Sequence, residues 1–371
     1  MKLVIFGLSV SSSWGNGHAT LWRALCRALH DRGHRVVFFE RDQPYYAGHR
    51  DHTAQPGLEL ILYADWSDAR KRAALELNDA DAAIVTSFCP DGPDASALVL
   101  RSAAGVRCFY DLDTPVTLDA LERRQHVRYL PPNGLGDFDL VLSYTGGRAL
   151  DRLQAELGAR RALPLYGCVD PEIHRPAAAR PEFASDLSYL GTYSDDRQPA
   201  LEALFLKAAD ALPDHWFAIA GAQYPEHFPW RSNLRFVRHL PPADHAAFFA
   251  SSRATLNVTR GPMAALGFCP SPRFFEAAAC GTPIVSDAWE GLDQFFTPGS
   301  ELIVARDTGD VIAALSLPQP ELAEIGARGR ARVLARHTAL HRALELEDAL
   351  RGCEAHDAHP SPHERPEACS A

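Results

Sequence analysis

Short apolar runs rich in Val, Ile, Leu and Phe recur along the chain, separated by longer stretches whose apolar residues return every three or four positions. The runs at 2–8, 35–39, 58–63, 82–86, 106–110, 138–144 and 162–166 are largely continuous rather than alternating. That is the pattern of strands buried on both faces of a parallel sheet. Between them, 18–32, 66–77, 94–103 and 147–157 carry helical periodicity, and the first and last of these close on Gly33 and Gly158. The alternation then begins again, with strands at 187–190, 216–220, 234–237, 255–258, 282–286 and 301–305 and helices at 199–211, 242–250, 273–280, 310–315 and 320–335. A helix-covered parallel sheet laid down twice predicts an α/β protein of two Rossmann-like doubly wound domains, 1–167 and 168–336. The segment Gly167-Cys168-Val169-Asp170-Pro171-Glu172-Ile173-His174-Arg175-Pro176 reads as the linker. A last helix is expected over 337–351, and 352–371, rich in His, Pro, Ser and Glu, reads as a disordered tail.

Composition narrows the possible partners. A chain of 371 residues exceeds what one core usually serves, in keeping with two domains. The net charge is −10 and basic residues are interspersed with acidic ones, which argues against nucleic acid or an anionic membrane surface as a partner. No apolar run reaches membrane-spanning length, and 1–10 lacks the basic region and cleavage site of a signal peptide, so a first strand is expected there. The eight cysteines include no Cys-x-x-Cys pair and read as reduced, buried side chains of a cytoplasmic protein. Lys2, Lys71 and Lys207 are the only lysines, and none has the surroundings of a Schiff-base site.

Candidate chemistry concentrates in 269–287. Pro270 and Pro272 forbid a helix before them, Ser271 can cap one, and Arg273 to Cys280 are helix formers stopped by Gly281. The N-terminus of such a helix favours a phosphate, Arg273 in its first turn would add a bidentate donor, and Glu276 one turn on can accept hydrogen bonds from ribose hydroxyls. Nearby strand ends offer Gly191, which permits close approach, Arg197, and Asn257 with Arg260. In the first half, Gly17 and His18 open a helix after a glycine-bearing loop. Glu40 ends the second strand where a dinucleotide site would want an acid, but the glycine spacing does not fit G-x-G-x-x-G. Asp111 and Asp113 end the fifth strand as a D-x-D, a pair that could hold a divalent metal or simply bond local backbone.

The run Phe275-Glu276-Ala277-Ala278-Ala279-Cys280-Gly281-Thr282-Pro283-Ile284-Val285 resembles the nucleotide-sugar signature of GT-B glycosyltransferases, the glycogen-synthase-like group especially. Eight positions before Glu276, where that group usually carries another Glu, stands Phe268. The stretch Ser-Trp-Gly-Asn-Gly-His at 13–18, followed by Phe-Phe-Glu-Arg-Asp at 38–42, resembles the CgeB-like spore-maturation glycosyltransferases. The resemblance implies a GT-B architecture, two Rossmann-like domains facing across a cleft, with the last helix crossing back onto the first domain. It implies transfer of a sugar from a nucleoside-diphosphate-sugar (UDP-sugar type) to a small-molecule, glycan or protein acceptor, with retention, no metal and no resident cofactor. Donor contacts would come from Gly17, Gly191, Arg197, Asn257, Arg260, Arg273, Phe274 and Glu276, with catalysis at His18, Asp111 and Asp113. Three other readings stay open at this point: a GT-B-like nucleotide-sugar epimerase, a catalytically silent binder, and a metal-dependent GT-A-like transferase using Asp111 and Asp113.

Overall fold

The structure, a computed structural model, describes residues 1–52 and 54–357. Seven strands, β1 (Lys2–Gly7), β2 (Arg35–Arg41), β3 (Leu58–Tyr63), β4 (Ala82–Thr86), β5 (Val106–Asp111), β6 (Leu140–Ser143) and β7 (Ala162–Pro164), form a sheet in the order β3-β2-β1-β4-β5-β6-β7. Every pairing is parallel. The continuous apolar run of β1 has a direct consequence, because its side chains feed two cores. Leu3 and Ile5 pack with Trp22 and Leu25 of the helix Gly17–Asp31, whereas Val4 and Phe6 pack on the other face with Ala69 and Ala73 of the helix Trp66–Leu77. The strand order reverses between β1 and β4, and a crevice opens at the carboxyl ends of such a switch point.

A second parallel sheet repeats the plan with β8 (Ser185–Leu190), β9 (Phe217–Gly221), β10 (Leu234–Arg238), β11 (Ser252–Asn257), β12 (Ile284–Ser286) and β13 (Ile303–Val304) in the order β10-β9-β8-β11-β12-β13. Its switch point lies between β8 and β11, so the loops after Leu190 and Asn257 open side by side. The helix expected over 199–211 begins at Gln198 and widens to a π turn over Glu202–Leu206. Two helices, Thr114–Glu122 and Gly261–Leu266, arise where only loops were expected. Both start on a Pro-containing first turn, where the missing N–H costs nothing.

Two chain crossings join the domains, and they bond to each other. Val169 in the outgoing linker donates to the carbonyl of His337 at 3.1 Å, and Ala339 in the returning strand donates to that of Val169 at 2.8 Å. The chain then enters the helix Ala339–Asp357, which buries Ala343, Leu346, Leu350 and Cys353 in the same core as Leu3 and Trp22 of the first domain. This helix runs through 352–357, so the first six residues of the expected tail are helical; 358–371 lie outside the described residues. Among the described residues, no helix is long and apolar enough to cross a membrane, and the seven cysteines are buried.

Glu347 fastens the returning helix. It accepts from Arg32 Nε and, at 2.8 Å, Nη2, lies 2.8 Å from His34 Nε2, and accepts from Arg351 at 2.8 Å. The hydrogen bond from Arg32, with those from His34 and Arg351, outweighs desolvation and holds its carboxyl down at about 2. A depressed carboxylate stabilises the fold fully above its unfolded pKa and loses that contribution as the pH falls toward the folded value. Glu347→Gln should therefore lower Tm by several degrees at pH 7, and the gap from wild type should shrink as the pH falls from about 4.5; differential scanning calorimetry across pH 3 to 7 checks it, and a pH-independent gap would remove Glu347 from this role.

Candidate functional site

The carboxyl ends of the two sheets face one another across a cleft of about 520 Å³. On the first-domain wall, Asn16 caps the helix Gly17–Asp31. Its Oδ1 accepts from His18 N at 3.0 Å, and its Nδ2 donates to the carbonyls of Ser9 and Ser12 at 3.2 Å each. The loop owes its shape to Glu40, fully buried at the end of β2, which accepts from Val10 N at 2.7 Å, Ser11 N at 3.0 Å and Ser9 Oγ at 2.9 Å. Glu40 is spent on the loop and offers nothing to a ribose.

The loop presents His18 to the cleft, with Nε2 2.7 Å from Asp113 Oδ2 and Nδ1 buried without a hydrogen-bond partner. Burial pushes the Asp113 carboxyl up, but the interaction with His18, with Arg260 and Arg197 farther off, outweighs it and holds the acid below its usual range. The result is a histidine oriented by a carboxylate through one nitrogen and left unpartnered, under cover, at the other. Asp111 is not its partner in the cleft. It is fully buried and absent from the cleft wall; Oδ1 accepts from Asp113 N at 3.0 Å, Oδ2 is buried without a partner, and burial pushes its pKa up to about 6. The two carboxylates of the D-x-D thus have different surroundings, Asp113 bonded to His18 on the cleft wall and Asp111 fully buried.

The second-domain wall is cationic. Arg197 donates through Nη1 to the Thr192 carbonyl at 3.0 Å, and its Nε is buried and unpartnered. Arg260 is paired with Asp196 at 2.9 Å. Gly191 lies where the loops after β8 and β9 nearly touch: a Cβ on Gly221 would fall 2.0 Å from the Gly191 carbonyl oxygen. Asn257 lines the cleft at the end of β11 and bonds Ser286 Oγ at 3.2 Å. Ser271 caps the helix Pro272–Ala279, accepting from Arg273 N, and Arg273 stands on the cleft wall. Phe274, expected among the donor contacts, faces the other way, fully buried against Phe296 and Trp289 with ring centroids 4.9 and 6.0 Å away. On this helix Arg273 looks outward while the next two residues enter the core.

Glu276 is not on the open wall either. Its carboxylate accepts from Arg273 Nη1 and lies 3.3 Å from His245 Nδ1 and 3.7 Å from His174 Nε2, in a buried cluster beneath the cleft. Burial would raise its pKa, yet Arg273 first, then His174 and His245, hold the carboxyl well below the usual range, while burial lowers His174 to about 4. Three donor atoms from His174, His245 and Glu276 lie within 4.8 Å of one another, a set that could ligate a metal. The cation already on that carboxylate is the Arg273 guanidinium. Neither histidine was singled out as a site residue from sequence: His174 comes from the linker and His245 from the helix Pro242–Ala250, with no spacing to link them.

Phe268, where the resembled group carries a glutamate, has a structural task. Its backbone is left-handed at φ 50° and its ring is wedged between the domains: a Cβ on Gly147 would lie 2.3 Å from it and one on Gly291 2.2 Å. Trp14 of the first domain stacks on its neighbour His49 at 3.9 Å and meets the tilted ring of His239 from the second domain at 4.1 Å. Because Glu276 and Arg273 are mutually neutralised under cover, Glu276→Gln should cost about 2 to 3 kcal/mol at pH 7. The depressed carboxyl pKa makes that difference fade below about pH 4.5. Urea unfolding of both proteins at pH 7 and pH 3.5 reads it, and equal stabilities at pH 7 would show the pair to contribute nothing.

A family model described as glycosyl transferase-like matches residues 197–348. No curated protein matches the chain significantly. Among solved structures, sucrose-phosphate synthase from Thermosynechococcus elongatus superposes with a TM-score of 0.70 at 15% identity, over 95% of this chain and 99% of that one. Anabaena HepE in complex with UDP and glucose gives 0.66 at 12% identity, with the same coverage of 95% and 99%. The catalytic domain of starch synthase IV from Arabidopsis thaliana, bound to ADP and acarbose, gives 0.65 at 12%, again over 95% and 99%. At these identities the likeness establishes architecture: the chain has the GT-B fold, and its second domain with the returning helix carries the match to the glycosyl transferase-like family.

Proposed function

We propose that the protein is a glycosyltransferase that moves a sugar from a nucleoside-diphosphate donor to an acceptor hydroxyl without a metal ion. The observation that carries this is the division of the cleft: three guanidiniums, Arg197, Arg260 and Arg273, and a capped helix N-terminus stand on one wall, and an Asp113-oriented His18 on the other. A leaving diphosphate gains charge as the glycosidic bond breaks, and fixed cations and helix dipoles in a cleft stabilise that charge without reorganisation. A small pocket of about 60 Å³ continues the cleft between Gly191, Gly221, Ala222, His239 and Leu240. In this reading the diphosphate draws Arg273 off Glu276, and the freed carboxylate accepts the ribose hydroxyls. The first-loop resemblance to the CgeB-like group and the cytoplasmic setting read from the scattered, buried cysteines belong to the same proposal.

Retention of the anomeric configuration rests on the likeness of 275–285 to the glycogen-synthase-like signature. A second reading, inversion, is favoured by the His18–Asp113 pair: the imidazole would take the acceptor proton while the hydroxyl attacks opposite the leaving diphosphate, and Asp113 would stabilise the imidazolium. Proton NMR of the product's anomeric coupling separates the two.

The functional test is nucleoside diphosphate release from a panel of nucleotide sugars, with and without candidate acceptors, in EDTA. Release that depends on acceptor and survives EDTA is expected. Donor consumption without acceptor would favour an epimerase, binding without consumption a silent binder, and loss in EDTA restored by manganese would end the metal-free account. His18→Ala should lower turnover by about 10² to 10⁴ with nucleotide affinity little changed.

A further inference from the structure

The first-domain wall holds one feature that donor chemistry does not use. Phe88, just past the end of β4, has a left-handed backbone at φ 59°, which a bulky residue adopts only where its surroundings impose it. They do so here through the loop's own bonds. Ser87 N donates to the Tyr110 carbonyl at 3.0 Å, Leu112 N donates to Ser87 Oγ at 2.9 Å, and Cys89 N donates to the Thr86 carbonyl at 3.3 Å. Thr86, Ser87 and Cys89 are buried on either side, whereas Phe88 is 38% exposed and lines the cleft. One side of its ring is backed by Tyr129 at 4.8 Å, itself buried and fixed by a 2.7 Å bond to Thr117. The ring centroid lies 6.0 Å from that of His18. A rigid, backed aromatic ring is thus presented beside His18.

The charge around it is equally one-sided. The lining residues on this wall include Leu8, Leu21, Leu112 and Tyr144 but no Arg or Lys, since the three cleft guanidiniums all stand opposite. An anionic acceptor would have no counter-charge there and would lie against Asp113. We propose that Phe88 is the acceptor platform, and that the acceptor is an uncharged hydroxyl compound laying an apolar ring face, the CH face of a pyranose or an aryl ring, on it. This rests on the transferase reading and adds the substrate class. The ring face supplies contact area at little entropic cost, and it holds a ring hydroxyl beside the His18 imidazole.

Saturation-transfer NMR on the UDP-loaded protein tests this without requiring turnover, using methyl β-glucoside and maltose, 4-methylumbelliferone, and glucose 6-phosphate as probes. At least one neutral probe should bind and glucose 6-phosphate should not; the saccharide and aryl arms identify which ring face is used. Phe88→Leu, which keeps bulk without a ring, should weaken that binding at least fivefold, Phe88→Tyr should restore it, and UDP affinity should be the same in both, with melting curves confirming the fold. Binding unchanged in Phe88→Leu, preference for glucose 6-phosphate, or no neutral binder at all would overturn the platform. Transfer to a phosphorylated acceptor would keep the transferase reading while sinking this one. Phe88-dependent binding with no diphosphate release in the functional assay would do the reverse.

Discussion

A buried carboxylate requires a cation, and the way Glu276 obtains one sets the character of the whole cleft. Arg273 stands three residues away on the same helix, close enough to neutralise Glu276 and exposed enough, at 27%, to remain on the wall. The pairing keeps a guanidinium folded back at the head of a capped helix, with Arg197 and Arg260 nearby. The guanidiniums of this wall are thus held in place by carboxylate partners, Arg273 by Glu276 and Arg260 by Asp196, at the head of a capped helix whose dipole adds to them. His174 and His245 complete the cluster and tie it to the linker and to the pocket beside Leu240. Burial pushes the pKa of both down, which disfavours a further positive charge beside Arg273.

That wall is useful only if the opposing one is held at a fixed distance, and several devices do this. The outgoing linker and the returning strand bond to each other at Val169 and Ala339, and the final helix is pinned to the first domain by Glu347. Phe268 fills one contact between the domains, and Trp14 against His239 makes another, with Tyr45 and Gln223 3.1 Å apart.

Much of this was legible in the sequence, for physical reasons. Parallel strands covered on both faces must be apolar throughout, so β1, β4 and β9 stand out as unbroken runs, and the linker announces itself by its prolines. Phe274 follows Arg273 in sequence but not onto the cleft wall, since one helical step turns it into the core. Asp111 and Asp113 look equivalent in a D-x-D, yet the first ends a strand with its side chain inward and the second precedes a helix facing the cleft. The Arg273–Glu276 pair could have been expected from its spacing of three. The positive φ of Phe88 could not, because nothing about a phenylalanine signals left-handed backbone, and the wedge at Phe268 depends on two glycines from different domains.

The account stands or falls on the second-domain wall as the seat of the nucleotide diphosphate. Isothermal titration of UDP and ADP into wild type and Arg273→Ala addresses it directly. Loss of hydrogen bonds between a guanidinium and a charged acceptor should weaken the preferred nucleotide by about 10- to 100-fold. Equal affinities in the two proteins would place the diphosphate elsewhere and contradict the account.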